Sequence, residues 1–99
     1  LTLITILTEM ESRGFKINSA GMLEFADALE EFNKGNYSIA KEILTNIIIK
    51  EDSADAYYLI GKILFEQDDK LGALSFVKKA ISIDPGHEDA NEFLLELKH

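Results

Sequence analysis

The chain has 99 residues, of which 46% are hydrophobic and 28% are charged, a balance typical of one soluble globular domain. It contains no cysteine, which excludes disulfide bonds, thiolate metal sites and thiol catalysis. Its formal net charge of −8 repels phosphate backbones and therefore argues against binding to nucleic acid.

The first predicted element covers residues 1–12. Leu3, Leu7 and Met10 have the spacing of one helical stripe, whereas the β-branched opening run also permits a strand. We favour a helix, because every later element is predicted to be helical and a lone strand would have no partner. Since the chain begins with Leu1 and not with methionine, we expect it to be a processed product or a piece of a longer protein.

Two helices joined by a turn are predicted next, over residues 20–33 and 37–50. Their apolar residues recur at helical spacing. These residues are Met22, Phe25, Ala28, Leu29 and Phe32 in the first helix and Ala40, Ile43, Leu44 and Ile47 in the second. Lys34-Gly35-Asn36 between them is a strong turn signal. Glu51-Asp52-Ser53 offers a stop and a cap for the following helix.

A second pair of helices is predicted over residues 54–67 and 70–83. The stripes are Tyr57, Ile60, Gly61 and Leu64 in the first helix and Leu71, Leu74, Val77 and Ile81 in the second. Asp68-Asp69 forms the break, because aspartate tolerates a left-handed backbone. Pro85 ends the second helix, since proline cannot continue it. A last helix is predicted over residues 88–98, with Ala90, Leu94 and Leu97 on one side.

The two hairpins repeat one another. Six positions of the first hairpin recur 33 residues later, and five of the six pairs keep their chemical character. The pairs are Ala28 and Gly61, Phe32 and Phe65, Tyr37 and Lys70, Ala40 and Ala73, Leu44 and Val77, and Ile47 and Ala80. Internal similarity at this period indicates stacked helical hairpins.

The second hairpin, residues 54–87, resembles the tetratricopeptide repeat. The residues that carry the resemblance are Tyr57, Ile60, Gly61 and Leu64 in the first helix and Ala73, Val77, Ala80 and Pro85 in and after the second. Small residues let helix axes approach while bulky ones fill the gaps between them. Residues 20–53 resemble the family less closely. Asp52 stands where proline is usual, and Glu24 and Asp27 stand where apolar residues usually meet the preceding hairpin.

The resemblance implies an all-α fold, a right-handed superhelical stack of antiparallel helix hairpins forming one domain over residues 1–99. Its parts are a leading helix and loop over 1–18, a divergent repeat over 20–53, a clear repeat over 54–87 and a capping helix over 88–99. Residues 9–18 also resemble the end of a pentatricopeptide repeat, which suggests that the leading helix is the second helix of an incomplete hairpin. Leu95 stands where a small residue is needed for another hairpin to dock, so we expect the stack to stop there.

In the tetratricopeptide family the first helices of successive hairpins line a concave groove. The resemblance therefore implies a scaffold or adaptor that binds a peptide or helix of a partner protein in that groove. The residues expected to bind are Met22, Phe25, Leu29, Asn33, Tyr58, Lys62 and Glu66, with Glu92 and Glu96 on the last helix. Phe32 and Phe65 point either to the groove or to the core. Because Phe25 and Leu29 replace the lysine and asparagine of the family's basic clamp, chaperone peptides ending in a carboxylate are disfavoured.

Self-association is the alternative function. Residues 1–7 carry five aliphatic side chains, and burying each is worth about 1.5–3 kcal/mol. They are Leu1, Leu3, Ile4, Ile6 and Leu7. We expect residues 1–12 to pack on the groove side of the first hairpin or across the axis of a homodimer.

The sequence shows no sign of catalysis. No nucleophile has a placed base, and no glycine-rich loop could hold a phosphate, so we expect no enzymatic activity, no catalytic residues and no cofactor. His87, Glu88 and Asp89 form the densest group of candidate metal ligands, but a polar helix start explains them better than a metal site. No apolar run reaches the ~18 residues of a membrane span. We expect a cytoplasmic location.

Overall fold

The computed structural model describes residues 19–98, with side chains from Leu23 onward. Within this range there are five helices and no strand, so this part of the chain is all-α. The helices are α1 (Ser19–Asn33), α2 (Tyr37–Lys50), α3 (Ala54–Glu66), α4 (Lys70–Ile83) and α5 (Glu88–Leu97). The leading helix predicted over residues 1–12 lies outside the described residues.

The first hairpin consists of α1 and α2. Gly35 lies in the turn between them with φ of 83°, a backbone conformation that a side chain would strain. Its N–H bonds the carbonyl of Phe32 at 3.0 Å, and the N–H of Asn36 bonds the carbonyl of Glu31 at 2.9 Å. These two bonds satisfy carbonyls at the end of α1, and the predicted turn at residues 34–36 is confirmed.

The second hairpin consists of α3 and α4, and each helix begins with a side-chain cap. Ser53 Oγ accepts a hydrogen bond from the N–H of Ala56 at 3.1 Å. Asp69 Oδ1 accepts one from the N–H of Gly72 at 2.9 Å. Asp68, just before this cap, has φ of 64°. The predicted roles of Ser53 as a cap and of Asp68-Asp69 as a turn are confirmed.

Two apolar clusters form the core of the described residues. The first joins the hairpins, because α3 contributes to it along with α1 and α2; it contains Phe25, Ala28, Ala40, Leu44, Ile47, Ala56, Leu59, Ile60 and Ile63. The second holds α5 against α4 and contains Ala73, Val77, Ala80, Ala90, Phe93 and Leu97. Gly61 lies at a close approach, since a Cβ there would be 3.3 Å from the carbonyl oxygen of Ala73.

The buried side of α5 includes one residue, Phe93, that the predicted stripe lacks. Ala90, Phe93 and Leu97 are buried, whereas Leu94 is half-buried and only packs against the second cluster. The predicted stripe of Ala90, Leu94 and Leu97 therefore packs against the core, with Phe93 in its fully buried middle position. Phe93 occupies that position because its ring fits against the small Gly61, with its Cε2 3.6 Å from where a Cβ would stand.

No helix in the described range is long and apolar enough to cross a membrane.

Candidate functional site

One surface combines α3 with α5. On α3 it carries Tyr58, Lys62, Phe65 and Glu66, whose spacing of four, three and one residues places them along one side of the helix. On α5 it carries Asp89, Glu92, Phe93 and Glu96. We call these eight residues the α3–α5 face.

The ring of Phe93 joins the two halves of this face. It meets the ring of Phe65 edge-on, with centroids 5.6 Å apart, and the ring of Tyr58 edge-on at 6.0 Å. The Nζ of Lys62 lies 5.0 Å from the centroid of the same ring, within the range of a cation–π contact. Phe93 itself is buried, but Phe65 remains 41% exposed. The exposed ring of Phe65 is therefore held in place by the buried ring of Phe93.

The carboxylates of α5 give this face a negative potential. Burial, together with the smaller effect of the charges of Asp89, Glu96 and Glu92, raises the pKa of Tyr58 to about 12. The negative charges of these carboxylates therefore disfavour ionisation of the Tyr58 hydroxyl. Tyr58 remains a neutral hydrogen-bond donor throughout the physiological pH range.

A buried pair anchors α5 beside Tyr58. The Nε2 of His87 lies 2.7 Å from Oδ1 of Asp55, and the two rings of His87 and Tyr58 have centroids 5.3 Å apart. Nδ1 of His87 accepts a hydrogen bond from the N–H of Ala90 at 3.1 Å, which caps α5. His87 thus has a structural role in fixing both helices of the face.

The residues predicted on α1 are less available to a partner. Phe25 is only 3% exposed and belongs to the first core cluster, so the expectation that its ring faces the groove does not agree with the structure. Leu29 is half-buried and packs against that cluster, whereas Asn33 is exposed. The side chain of Met22 lies outside those described.

Two features of this surface were missed or left open by the sequence. The sequence pattern does not identify Phe93, although the absence of a side chain at Gly61 leaves space for a large residue from another helix. The sequence does not decide whether Phe32 and Phe65 face the core or the groove. In the structure Phe32 is half-buried, with its ring centroid 5.6 Å from that of Tyr37, whereas Phe65 is exposed.

Among residues 19–98 no group of three or more histidine, aspartate or glutamate side chains could hold a metal ion. His87 directs one ring nitrogen to Asp55 and the other to the backbone of Ala90, which occupies both nitrogens in structural bonds. Glu88 and Asp89, its neighbours, lie in the first turn of α5, where negative charge suits the positive end of the helix dipole.

A family model of the tetratricopeptide repeat matches residues 54–87, which include α3, α4 and the loop to α5. No curated protein matches the chain. Repeats of this family generally mediate contacts between proteins. The helix pair α3–α4, with small residues at its close contacts and Pro85 after its end, agrees with that match. Residues 54–87 are therefore similar to one repeat of the tetratricopeptide family.

Proposed function

We propose that this protein is a protein-interaction module that binds a peptide or helix of its partner on the α3–α5 face, with Asn33 and Leu29 of α1 at the edge of the same groove. The single observation that carries the proposal is the exposure of Phe65. Phe65 is 41% exposed, although its ring rests against the buried ring of Phe93. Aromatic side chains held in this way contribute strongly to protein interfaces.

The polar groups around Phe65 suit a partner as well. Tyr58 offers a hydroxyl, Lys62 an ammonium group and Glu66 a carboxylate, so the face can bond to a peptide backbone or to side chains of either sign. Since the described part of the groove is short, we expect a single peptide to bind with a Kd on the order of micromolar or weaker.

The test compares Phe65→Ala with Leu71→Ala in capture experiments on extracts of the source cells. Leu71 lies at the start of α4, outside the α3–α5 face, and is 80% exposed, so it is a matched exposed apolar residue. We expect a specific partner to be retained by the wild-type chain and by Leu71→Ala and to be lost from Phe65→Ala. Equal retention by both variants would contradict binding at this face. Equal helix content and melting temperature of the variants serve as the folding control.

Self-association is the second candidate. The exposed apolar residues Leu23 and Ile39 on the first hairpin, each 51% exposed, support it because such side chains favour an interface. Light scattering of residues 1–99 and of residues 19–99 over a concentration series tests this idea. A dimer that becomes a monomer on truncation supports assembly through residues 1–18, and a monomer in both cases contradicts it.

A further inference from the structure

We propose that the partner segment bound by the α3–α5 face is basic and amphipathic, and that it places a lysine or arginine side chain beside Phe65 among the carboxylates of α5. This inference rests on the proposed function and specifies the chemistry of the partner. It follows from the charge of the face and from the geometry of its aromatic rings.

The charges of the face favour a cationic partner. Its four carboxylates belong to Glu66, Asp89, Glu92 and Glu96, and its one ammonium group to Lys62, which gives a net charge of −3. Glu66, Asp89, Glu92 and Glu96 are all exposed, so their charges meet an incoming segment directly. An acidic segment could pair only with Lys62 and would bring like charges together, which is unfavourable at an interface.

The aromatic rings define where the cation binds. A guanidinium or ammonium group is attracted to the face of an aromatic ring and bonds to a carboxylate at the same time. The contact between Lys62 and Phe93 at 5.0 Å is an example of such attraction within the chain itself. Phe65, next to Phe93 and 41% exposed, offers a second ring to a cation of the partner.

The apolar part of the partner follows from the same surface. Because Phe65 is exposed and Tyr58 is half-buried, a purely hydrophilic polycation would leave their apolar surface in contact with water. A segment with apolar residues on one side and basic residues on its flanks covers both. Exposed Lys78 and Lys79 on α4 repel the same segment from that helix, which directs it to the α3–α5 face.

The test uses two synthetic amphipathic helices as probes. One contains leucine, alanine and lysine, and the other has glutamate in place of every lysine. Each is titrated into the full, isotope-labelled chain, and amide signals are followed by NMR at low and at high salt. The test variant is Glu92→Gln/Glu96→Gln. The matched control is Glu42→Gln/Asp52→Asn, which removes the same charge from exposed positions outside the face.

We expect the lysine helix to shift the signals of Tyr58, Lys62 and Phe65 and the glutamate helix to bind at least tenfold more weakly, as estimated from about threefold per exposed ion pair. Glu92→Gln/Glu96→Gln should weaken binding of the lysine helix about tenfold at low salt, and the control variant should change it less than about twofold.

Different results overturn different parts of the argument. If the glutamate helix binds the face as tightly as the lysine helix, or if the test variant binds the lysine helix like the wild-type chain, the inference about charge is wrong and binding at the face stands. If neither helix shifts the signals of the face at any salt concentration, both the inference and the proposed groove are wrong.

Discussion

The Nε2 of His87 lies 2.7 Å from Oδ1 of Asp55, which joins the beginning of α5 to the beginning of α3. Nδ1 of the same ring accepts the N–H of Ala90, so in the neutral ring Nε2 carries the hydrogen and donates it to the carboxylate. Both side chains are only 10% exposed. A single imidazole therefore caps one helix and satisfies a buried charge on another.

Substitution of His87 should separate these two roles. We expect His87→Ala to lower the free energy of unfolding by about 2–3 kcal/mol, because it removes a cap worth about 1 kcal/mol and leaves the Asp55 carboxylate without its partner. His87→Asn keeps an oxygen for the cap and should cost about 1 kcal/mol less. Urea denaturation measures both values. Wild-type stability of His87→Ala would show that the pair contributes nothing.

The same pair makes stability depend on pH. The hydrogen bond to Asp55 raises the pKa of His87, the charges of Asp55, Asp89 and Asp84 also raise it, and partial burial opposes them. Because the folded pKa lies above the unfolded value of about 6.5, the contribution is complete below about pH 6.5 and is lost as pH rises through the folded pKa. Protonation also removes the Nδ1 acceptor of the cap, which opposes the gain at Asp55.

The expected result is a stability difference between the wild-type chain and Asp55→Asn that decreases as pH rises from about 6.5 through the folded pKa of His87. Urea denaturation at a series of pH values measures it, and an NMR titration of the His87 ring gives its pKa directly. A faster exchange of the Ala90 amide at the acid end would report the lost cap. A stability difference that increases with pH in this range would contradict the raised pKa.

The adjacent residues Asp68 and Asp69 should respond to substitution with opposite signs. Asp68 has φ of 64°, so Asp68→Gly relieves a left-handed backbone and should raise the free energy of unfolding by up to about 1 kcal/mol. Asp69 caps α4 by accepting a hydrogen bond from the N–H of Gly72. Asp69→Ala should therefore lower the free energy of unfolding by about 1 kcal/mol. Thermal and urea unfolding measure the change in the free energy of unfolding for each variant. Changes of the same sign would contradict these roles of Asp68 and Asp69 in the turn.

Most of the helical framework could be predicted from the sequence, because turn residues limit each helix. The bounds of α2 and α4 agree with the predicted ranges 37–50 and 70–83, since Gly35, Ser53, Asp69 and Pro85 all carry local signals. Such signals depend on the backbone preferences of single residues and require no knowledge of the tertiary structure.

The site depended on contacts between distant residues, and there the sequence was less informative. Phe93 and Leu94 are adjacent and both apolar, so helical spacing alone could not decide which of them faces the core. The choice depends on the space left by Gly61, which lies on another helix. Phe25 was placed on the groove by its position in the family pattern, but α1 turns its ring into the core formed with α2 and α3.

Gly61 should tolerate alanine, and a larger residue there should destabilise the protein. A Cβ at Gly61 would stand 3.3 Å from the carbonyl oxygen of Ala73, so the helices must separate by a few tenths of an ångström. Because alanine gains about 1 kcal/mol of helix propensity over glycine, we expect Gly61→Ala to change the free energy of unfolding by less than about 1 kcal/mol. Gly61→Val should lower it by about 2–3 kcal/mol, since overpacking displaces Phe93. Urea denaturation distinguishes the two, and a stable Gly61→Val would contradict the close approach.

Phe93 should be the residue on which both the stability of α5 and the shape of the face depend. It is 2% exposed, and Phe93→Ala removes a buried ring, which should lower the free energy of unfolding by about 3–4 kcal/mol. Phe93→Leu keeps most of the volume and loses the edge-on contacts, so we expect a loss of about 1–1.5 kcal/mol. The aromatic NMR signals of Tyr58 and Phe65 should move in Phe93→Leu.

The ring pair of Phe32 and Tyr37, whose centroids are 5.6 Å apart in the first hairpin, is the internal control for that experiment, and its signals should stay in place. Phe93→Leu should also weaken binding of the lysine helix, because Phe65 loses the ring that holds it at the surface. If the Phe65 signals stay unchanged while binding of the lysine helix weakens, Phe93 does not contribute to binding by holding the ring of Phe65. A Phe93→Ala chain with wild-type stability would show that the His87–Asp55 pair and the remaining apolar contacts of α5 suffice to hold this helix.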